Sequence, residues 1–208
     1  MVICIFGDSI TWGAFLPFRG AWANLLRNYL ESLNKRITLY DLGVDKDTSQ
    51  DVLDRFIPEA KARKPDLLIF AVGINDSAYR FSKDNPVVNL EEFKKNLLEL
   101  IERGRKFTQK IIFVGLAKGD DSNTQPLPRS RTKKSYDKAN TWLYNEAIRT
   151  ICKKEQLRFV NIIDLLKNED FDDGLHPNLG GHQKIFEEVR RELQKMRLDG
   201  NYLNLKVG

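Results

Sequence analysis

The sequence predicts an α/β fold, a three-layer α/β/α sandwich around a five-stranded, mainly parallel sheet. Three observations lead to this prediction. Short apolar runs rich in β-branched residues recur along the chain, which is typical of strands buried on both faces. Between them lie longer segments whose apolar residues have helical spacing. The alternation of strand and helix has no repeat of fixed period, which favours parallel strands joined by right-handed crossovers.

Length and composition indicate one globular unit. A chain of 208 residues can form one sizeable core, since domains most often have about 100–150 residues, and we expect a single domain over residues 1–208. The apolar and charged fractions, 41% and 30%, are those of a globular protein. No apolar stretch approaches the roughly 20 residues that cross a bilayer, and Met1 leads directly into a strand rather than into a signal segment. We therefore expect a cytoplasmic protein without integral membrane association.

Charge and cysteine content argue against several kinds of partner. The net charge is +5, but the basic residues are spread over predicted helices without a nucleic-acid-binding motif, so we expect no nucleic-acid partner. A mild preference for anionic substrates is compatible with this charge. Cys4 and Cys152 lie in a predicted strand and a predicted helix, and with only His176 and His182 beside them they predict neither a disulfide framework nor a metal site.

The first half of the chain contains three predicted strands, at residues 2–6, 37–42 and 67–72. After the first strand, the stretch from Ala21 to Leu30 places its apolar residues on one face of a helix. A second helix begins after Thr48 or Ser49, either of which can cap it, and lasts until Pro65 ends it.

The second half adds two strands, at residues 111–116 and 157–162. Three amphipathic helices are predicted over residues 90–103, 137–155 and 178–196. The apolar side predicted for the middle helix consists of Trp142, Leu143, Ile148 and Ile151.

Residues 118–136 form the longest stretch without apolar periodicity. Long loops in compact domains are usually functional or disordered. We therefore interpret this stretch as a mobile rim of the active site.

Polar residues follow the predicted strands at the sheet edge where α/β proteins bind ligands. Ser9 follows the first strand, Asn75 follows the third, and Asp173 and His176 precede the last helix. A hydroxyl, an imidazole, a carboxylate and an amide are what acyl transfer requires as nucleophile, base, orienting group and oxyanion donor. Each residue alone also has a simpler interpretation: Ser9 as a helix cap, Asn75 as a turn residue, and His176 as a surface histidine.

Three segments resemble the signature blocks of the GDSL/SGNH hydrolases, in the same order and across nearly the whole chain: Gly7-Asp8-Ser9, Gly73-x-Asn75-Asp76 and Asp173-x-x-His176. The resemblance implies a flavodoxin-like SGNH hydrolase fold and an enzyme that generally needs no cofactor. It also implies that Ser9 is the nucleophile, His176 the general base and acid, and Asp173 the group that orients the histidine. The side-chain amide of Asn75 and the backbone N–H of Ser9 would hold the oxyanion.

One block departs from the family pattern Asn-x-x-x-x-Gly-Asp-Thr, whose glycine N–H contributes to the oxyanion site. The corresponding residues here run from Asp41 to Thr48, and Lys46 stands where glycine is expected. A backbone donor survives any substitution except proline, and a left-handed conformation at lysine would cost about 1–2 kcal/mol. Gly43 is the alternative donor, through a shifted loop. We favour Lys46, whose ammonium can also attract an anionic substrate group.

These residues favour a serine esterase that acts on small acyl esters through an acyl-enzyme. Thioesters, lysophospholipids and acetylated sugars require the same groups, and pocket shape decides between them. Phe15, Leu16, Phe18 and the loop around Leu127 form either an acyl pocket or ordinary packing. Two other functions stay open: a non-catalytic binding protein that kept the fold, and a phosphate-binding protein in which Gly7 to Gly13 cradles the anion. No sequence feature indicates an oligomeric state.

Overall fold

The computed structural model describes residues 1–17, 20–128 and 130–196. These residues form the strands β1 (Val2–Gly7), β2 (Thr38–Gly43), β3 (Leu67–Ala71), β4 (Tyr79–Arg80), β5 (Ser82–Pro86), β6 (Ile111–Val114), β7 (Lys134–Ser135) and β8 (Arg158–Val160). Five of the strands make a parallel sheet in the order β2-β1-β3-β6-β8. The predicted α/β class and five-stranded parallel sheet are confirmed, and the ends of each strand lie within two residues of the prediction.

Helices on both faces of this sheet complete the three layers. They are α1 (Ser9–Trp12), α2 (Trp22–Leu33), α3 (Ser49–Arg63), α4 (Leu90–Arg105), α5 (Asp121–Thr124), α6 (Lys138–Lys154) and α7 (Leu179–Lys195). The helices α2 and α7 pack on one face of the sheet, and α3, α4 and α6 pack on the other. All five long helices predicted from the sequence are present. Within the described ranges, none of the helices has the length and apolar character of a membrane span.

Burial on both faces explains why the central strands β1, β3 and β6 consist of uninterrupted apolar residues. In β1, Ile3 and Ile5 pack with the layer of α2 and α7, whereas Cys4 and Phe6 pack with the opposite layer. Cys4 and Cys152 are both buried in the core, as expected.

A second sheet lies outside the predicted architecture. It is antiparallel, with the strand order β5-β4-β7. The strand β5 consists mostly of exposed polar residues, so apolar periodicity gave no signal for it. The segment interpreted as a rim loop, residues 118–136, contains both α5 and β7, and β7 ties it to β4.

The apolar side predicted for α6 is partly wrong. Trp142 and Leu143 are 49% and 41% exposed, whereas the neighbouring Tyr144 and Asn145 are buried. The Oδ1 atom of Asn145 accepts a hydrogen bond from the backbone N–H of Leu116 at 3.0 Å. Because a polar residue with a buried partner occupies the inner face, counting apolar residues alone misplaced that face.

Candidate active site

Ser9 is presented by a sharp turn between β1 and α1. Asp8, rather than Ser9, caps α1, because its carboxylate accepts a hydrogen bond from the N–H of Ile10 at 2.9 Å. The turn has no room for a side chain at Gly7, where a Cβ atom would lie 2.1 Å from Oγ1 of Thr11. The interpretation of Ser9 as the cap of this helix is therefore wrong, and its buried hydroxyl is available for another role.

The Ser9 hydroxyl lies beside His176, although 167 positions separate the two residues in the chain. Ser9 Oγ and His176 Nε2 are 3.1 Å apart. On the other side of the ring, Nδ1 lies 2.9 Å from Oδ2 of Asp173. A carboxylate at Nδ1 favours the tautomer that carries its proton there, which leaves Nε2 to accept the proton of the serine. The structure thus brings Ser9, His176 and Asp173 into one hydrogen-bonded series.

The loop from Asp173 to His176 fixes this carboxylate. Its Oδ1 atom accepts hydrogen bonds from the backbone N–H groups of Leu175, at 2.9 Å, and His176, at 2.8 Å. Gly174 has a φ of 89°, in the left-handed region that glycine adopts without strain. Burial alone would raise the pKa of Asp173, but the hydrogen bonds from the His176 ring and these backbone groups outweigh it and lower the pKa to about 2. Asp173 is therefore ionised at neutral pH.

Asn75 is held on both sides of its amide. Its Nδ2 atom donates a hydrogen bond to the backbone carbonyl of Asp47 at 3.0 Å, and its Oδ1 atom accepts one from the Tyr136 hydroxyl at 3.1 Å. Since a side-chain amide has two N–H donors, the second stays available for a substrate oxygen. Tyr136 was missed from the sequence, because it ends the segment without periodicity and no nearby motif marks it.

The loop after β2 carries Lys46 and Gly43, the two candidates for the second backbone donor. Lys46 has a φ of 69°, so it adopts the left-handed conformation at the position where glycine was expected. Within the described residues, its backbone N–H donates no hydrogen bond. The N–H of Gly43, in contrast, donates to Oδ1 of Asp41 at 3.0 Å. A Cβ atom at Gly43 would lie 2.4 Å from the backbone nitrogen of Trp12, so this glycine allows α1 to pack closely on β2.

Arg55 is a second residue that sequence reasoning missed. From α3 it pairs with the carboxylate of Asp47, with Nε and Oδ2 2.7 Å apart. Its NH2 group donates to the carbonyls of Leu42, at 2.7 Å, and Gly7, at 3.2 Å. One guanidinium therefore joins the ends of β1 and β2 to the loop that carries Lys46.

Two buried carboxyl groups lie close to these residues. Burial raises the pKa of Asp8 to about 7, against the opposing effects of the Ile10 N–H and His176. Burial likewise raises the pKa of Asp76 to about 6, against hydrogen bonds from Ser49. Both carboxylate oxygens of Asp76 accept from the N–H of Ser49, at 3.1 and 3.0 Å. Asp76 thus ties the loop after β3 to the start of α3.

The ring of Phe15 stands edge-on to His176, with 5.0 Å between the ring centroids. Phe15 is 59% exposed and lines a hollow of about 540 Å³ together with Asn123, Pro128, Phe171 and Asp173. Leu127 is partly buried and packs against the core. Phe18, the other aromatic residue of the expected acyl pocket, lies outside the described residues.

His182 takes no part in this arrangement. It is fully buried, and its Nδ1 atom accepts a hydrogen bond from the backbone N–H of Trp22 at 3.1 Å, at the start of α2. Burial and, to a smaller extent, His176 lower its pKa to about 4. It therefore serves as a neutral helix cap. Among the described residues, no group of three or more Asp, Glu, His or Cys side chains is arranged to hold a metal ion.

Comparison with known sequences matches residues 5–184 to the model of the GDSL-like Lipase/Acylhydrolase family. The GDSL esterase/lipase WDL1 of Oryza sativa subsp. japonica is 26% identical over 209 aligned residues, covering 94% of this chain and 78% of the relative. The arylesterase of Vibrio mimicus is 22% identical over 197 residues, covering 93% of this chain and 88% of the relative.

Solved structures share the fold. The metagenomic α/β hydrolase LAE5 from Lake Arreo superposes with a TM-score of 0.71 at 21% identity, covering 91% of this chain and 93% of the other. A variant of the acetylxylan esterase Axe2 from Geobacillus stearothermophilus gives a TM-score of 0.71 at 19% identity, covering 92% and 93% of the two chains.

Proposed function

The chain belongs to the GDSL-like lipase/acylhydrolase family and is a carboxylic ester hydrolase, and we propose that it cleaves small acyl esters through Ser9, His176 and Asp173. One observation carries this proposal: the Ser9 hydroxyl lies 3.1 Å from Nε2 of a histidine whose other nitrogen faces an ionised carboxylate at 2.9 Å. This arrangement is the one that activates a serine for attack on a carbonyl carbon.

In the first half of the reaction, Ser9 Oγ attacks the acyl carbon and its proton moves to Nε2 of His176. The imidazolium that forms is stabilised by Asp173, which is already ionised and oriented by its own loop. Collapse of the tetrahedral intermediate expels the alcohol, which takes the proton from His176. The acyl group is then bound to Ser9 as an ester.

The negative charge on the carbonyl oxygen requires donors. We assign this role to the backbone N–H of Ser9, the free amide hydrogen of Asn75 and the backbone N–H of Lys46. Gly43 is not assigned, because its N–H is bonded to Asp41. A donor of this kind typically contributes about 2.7–4 kcal/mol to transition-state stabilisation.

The second half repeats these steps with water in place of the serine. His176 removes a proton from the water, which attacks the acyl-enzyme, and the proton then passes to Ser9 as the carboxylic acid leaves. Structures of the acetylxylan esterase with this fold include two described as catalytic mutants, in which a serine or a histidine is replaced by alanine. That description supports the same pair of roles for Ser9 and His176.

The buried carboxylate of Asp8 argues against the phosphate-binding alternative. It caps α1 inside the segment from Gly7 to Gly13, where a phosphate would have to bind. The Asp8 side chain fills that position and occupies the N–H of Ile10, which a phosphate would need as a donor.

The direct test is incubation with a fluorophosphonate, which loses fluoride as the serine oxygen bonds to phosphorus. We expect the mass increase to map to Ser9, to disappear in Ser9→Ala and to fall strongly in His176→Ala. A control variant, Ser32→Ala, removes an exposed serine of α2 and should be labelled as the wild type is. Absence of labelling, together with absence of turnover, would contradict the proposal and leave the non-catalytic binding protein.

The acyl and alcohol groups can be compared with aryl esters of increasing acyl length, an acyl-CoA and an acetylated xylo-oligosaccharide. The name of one protein with this fold, an acetylxylan esterase, supports a short acyl group, and the name of the arylesterase relative supports an aryl leaving group. We expect the highest kcat/KM for acetyl or propionyl esters, and a maximum at long acyl chains would contradict this part of the proposal.

A further inference from the structure

A groove of about 850 Å³ borders the loop that carries Lys46. This volume is within the range of about 300–1,000 Å³ found for small-molecule sites. Its wall is shared with the candidate oxyanion site, because Lys46 and Thr48 line the groove while the intervening Asp47 binds the amide of Asn75. The groove therefore adjoins the loop that carries Lys46, a proposed oxyanion donor.

The groove brings together three cationic side chains from distant parts of the chain: Lys46, Arg80 and Lys134. Arg80 in β4 and Lys134 in β7 are directly opposite each other in the antiparallel ladder. Directly opposite residues project from the same face of a sheet, and like charges in that arrangement are destabilising. Repulsion between Arg80 and Lys134 therefore destabilises the small sheet, so its stability does not explain why both charges are present.

Within the described residues, no carboxylate forms an ion pair with Arg80 or Lys134. Three acidic residues, Asp51, Asp84 and Glu92, also line the groove. Asp51 accepts hydrogen bonds from the N–H and hydroxyl of Thr48, and Glu92 pairs with Lys95 at 3.6 Å. Asp84 also lines the groove and forms no ion pair in the described structure.

Lys134 is the most enclosed of the three cations. It is only partly exposed. Burial, followed by the charges of Arg80 and Lys46, lowers its pKa against the smaller opposing effects of Asp51 and Asp76. These are the conditions in which an ammonium gains most from an anionic ligand.

We infer that this groove binds an anionic group of the ester substrate, a phosphate, sulfate or carboxylate, between Arg80 and Lys134. The inference rests on the proposed function, since it names the substrate class of the same site. Lys46, which already pairs with Asp45 at 2.9 Å and is 78% exposed, provides additional positive charge at the entrance to the groove. Strong charge-assisted hydrogen bonds then fix the position of the substrate relative to Ser9.

The kinetic test compares three acetyl esters that differ in charge: phenyl acetate, 4-acetoxybenzoate and 4-acetoxyphenyl phosphate. For Lys134→Gln we expect kcat/KM to fall about tenfold or more with one or both anionic esters and by less than about twofold with phenyl acetate. Comparison of the two anionic esters distinguishes a carboxylate from a phosphate. The matched control is Lys133→Gln, which removes the adjacent exposed lysine outside the groove and should leave all three values near those of the wild type.

A structural role for Lys134 predicts a different pattern. If the lysine only supports the small sheet, Lys134→Gln will reduce turnover of neutral and anionic esters equally and will lower the Tm. Relief of the repulsion between opposite cations should instead leave the Tm unchanged or raise it. The inference would be overturned if Lys134→Gln lowered kcat/KM equally for all three esters, or did not lower it for the anionic esters.

Binding of phenyl phosphate separates this inference from the proposed hydrolysis. We expect Ser9→Ala to bind it with a Kd at least about fivefold lower than the double variant Ser9→Ala/Lys134→Gln, measured by calorimetry at low salt. If the wild type cleaves no ester, the proposed function fails while this measurement still decides whether the groove binds anions. Equal affinities in the two variants would overturn the groove assignment even if the esterase activity is found.

Discussion

The hydroxyl of Tyr136 donates a hydrogen bond to Oδ1 of Asn75 at 3.1 Å, and both side chains are buried. This contact joins the segment after β6 to the loop after β3. Because the Nδ2 atom of the same amide donates to Asp47, the amide cannot rotate without losing both contacts. Tyr136 is therefore a positioning residue for a proposed oxyanion donor.

We expect Tyr136→Phe to lower kcat about tenfold, or about 1.4 kcal/mol in the activation barrier, with little change in KM. The ring is kept, so the fold should be retained, and only the orientation of the amide is weakened. Steady-state kinetics on phenyl acetate measure this effect. The control is the double variant with Asn75→Ala, which should be no slower than Asn75→Ala alone, since coupled residues are not additive. A lower Tm with an unchanged kcat would show that the hydroxyl has a structural role only.

Asp173→Asn should fold normally and reduce kcat by up to about 10⁴-fold. The amide still fills the position of the carboxylate, but it no longer stabilises the imidazolium of His176 or selects the tautomer with the proton on Nδ1. Circular dichroism and ester turnover measure the two parts of this prediction. Asp172→Asn changes the exposed neighbouring residue and should keep wild-type activity. Turnover close to wild type in Asp173→Asn would remove the assignment of Asp173.

Lys46→Gly should raise the free energy of unfolding by up to about 1.5 kcal/mol. Relief of the left-handed strain at lysine, about 1–2 kcal/mol, is opposed by the greater freedom of glycine in the unfolded chain, about 0.5–1 kcal/mol. Urea denaturation measures the difference. The same substitution at Lys61, in the last turn of α3, should have the opposite sign and destabilise, because glycine is a poor helix former. A destabilised Lys46→Gly variant would indicate that the lysine side chain contributes contacts that outweigh the strain.

Because His182 is buried in its neutral form, we expect the free energy of unfolding to decrease in acid. Its folded pKa, about 4, lies below the ordinary value of 6.5, so between these values the unfolded chain binds more protons and stability falls as the pH is lowered. The contribution of neutral His182 to the free energy of unfolding is fully present above pH 6.5. It decreases by about 3 kcal/mol as the pH falls toward 4, at 1.36 kcal/mol per pH unit.

The comparison that isolates this effect uses His182→Asn, whose Oδ1 atom can still accept the N–H of Trp22 but does not titrate. Asp8, Asp41 and Asp76, whose raised pKa values act in the opposite direction, are present in both proteins and cancel in the difference. We expect the stability of the wild type relative to the variant to decrease from pH 6.5 to pH 4. If the difference in unfolding free energy between the two proteins did not vary with pH, His182 would not be a neutral cap with a lowered pKa.

Local chemistry allowed much of the architecture to be predicted. The predicted apolar runs ended within two residues of the ends of β1, β3 and β6, because strands buried on both faces require apolar residues without interruption. The order of Gly7-Asp8-Ser9, Gly73-x-Asn75-Asp76 and Asp173-x-x-His176 indicated the family before any distance was known. Asp173 and His176 are three residues apart, so one turn was enough to bring them together.

The tertiary structure alone decided the remaining relationships, since they join residues whose proximity no local pattern records. Arg55 reaches the ends of β1 and β2 only after α3 has packed on the sheet. Arg80 faces Lys134 only through a polar ladder that has no apolar period. Hydrophobic patterning reports which face of an element is buried, whereas long-range polar contacts, including those around the proposed catalytic groups, depend on how several elements pack together.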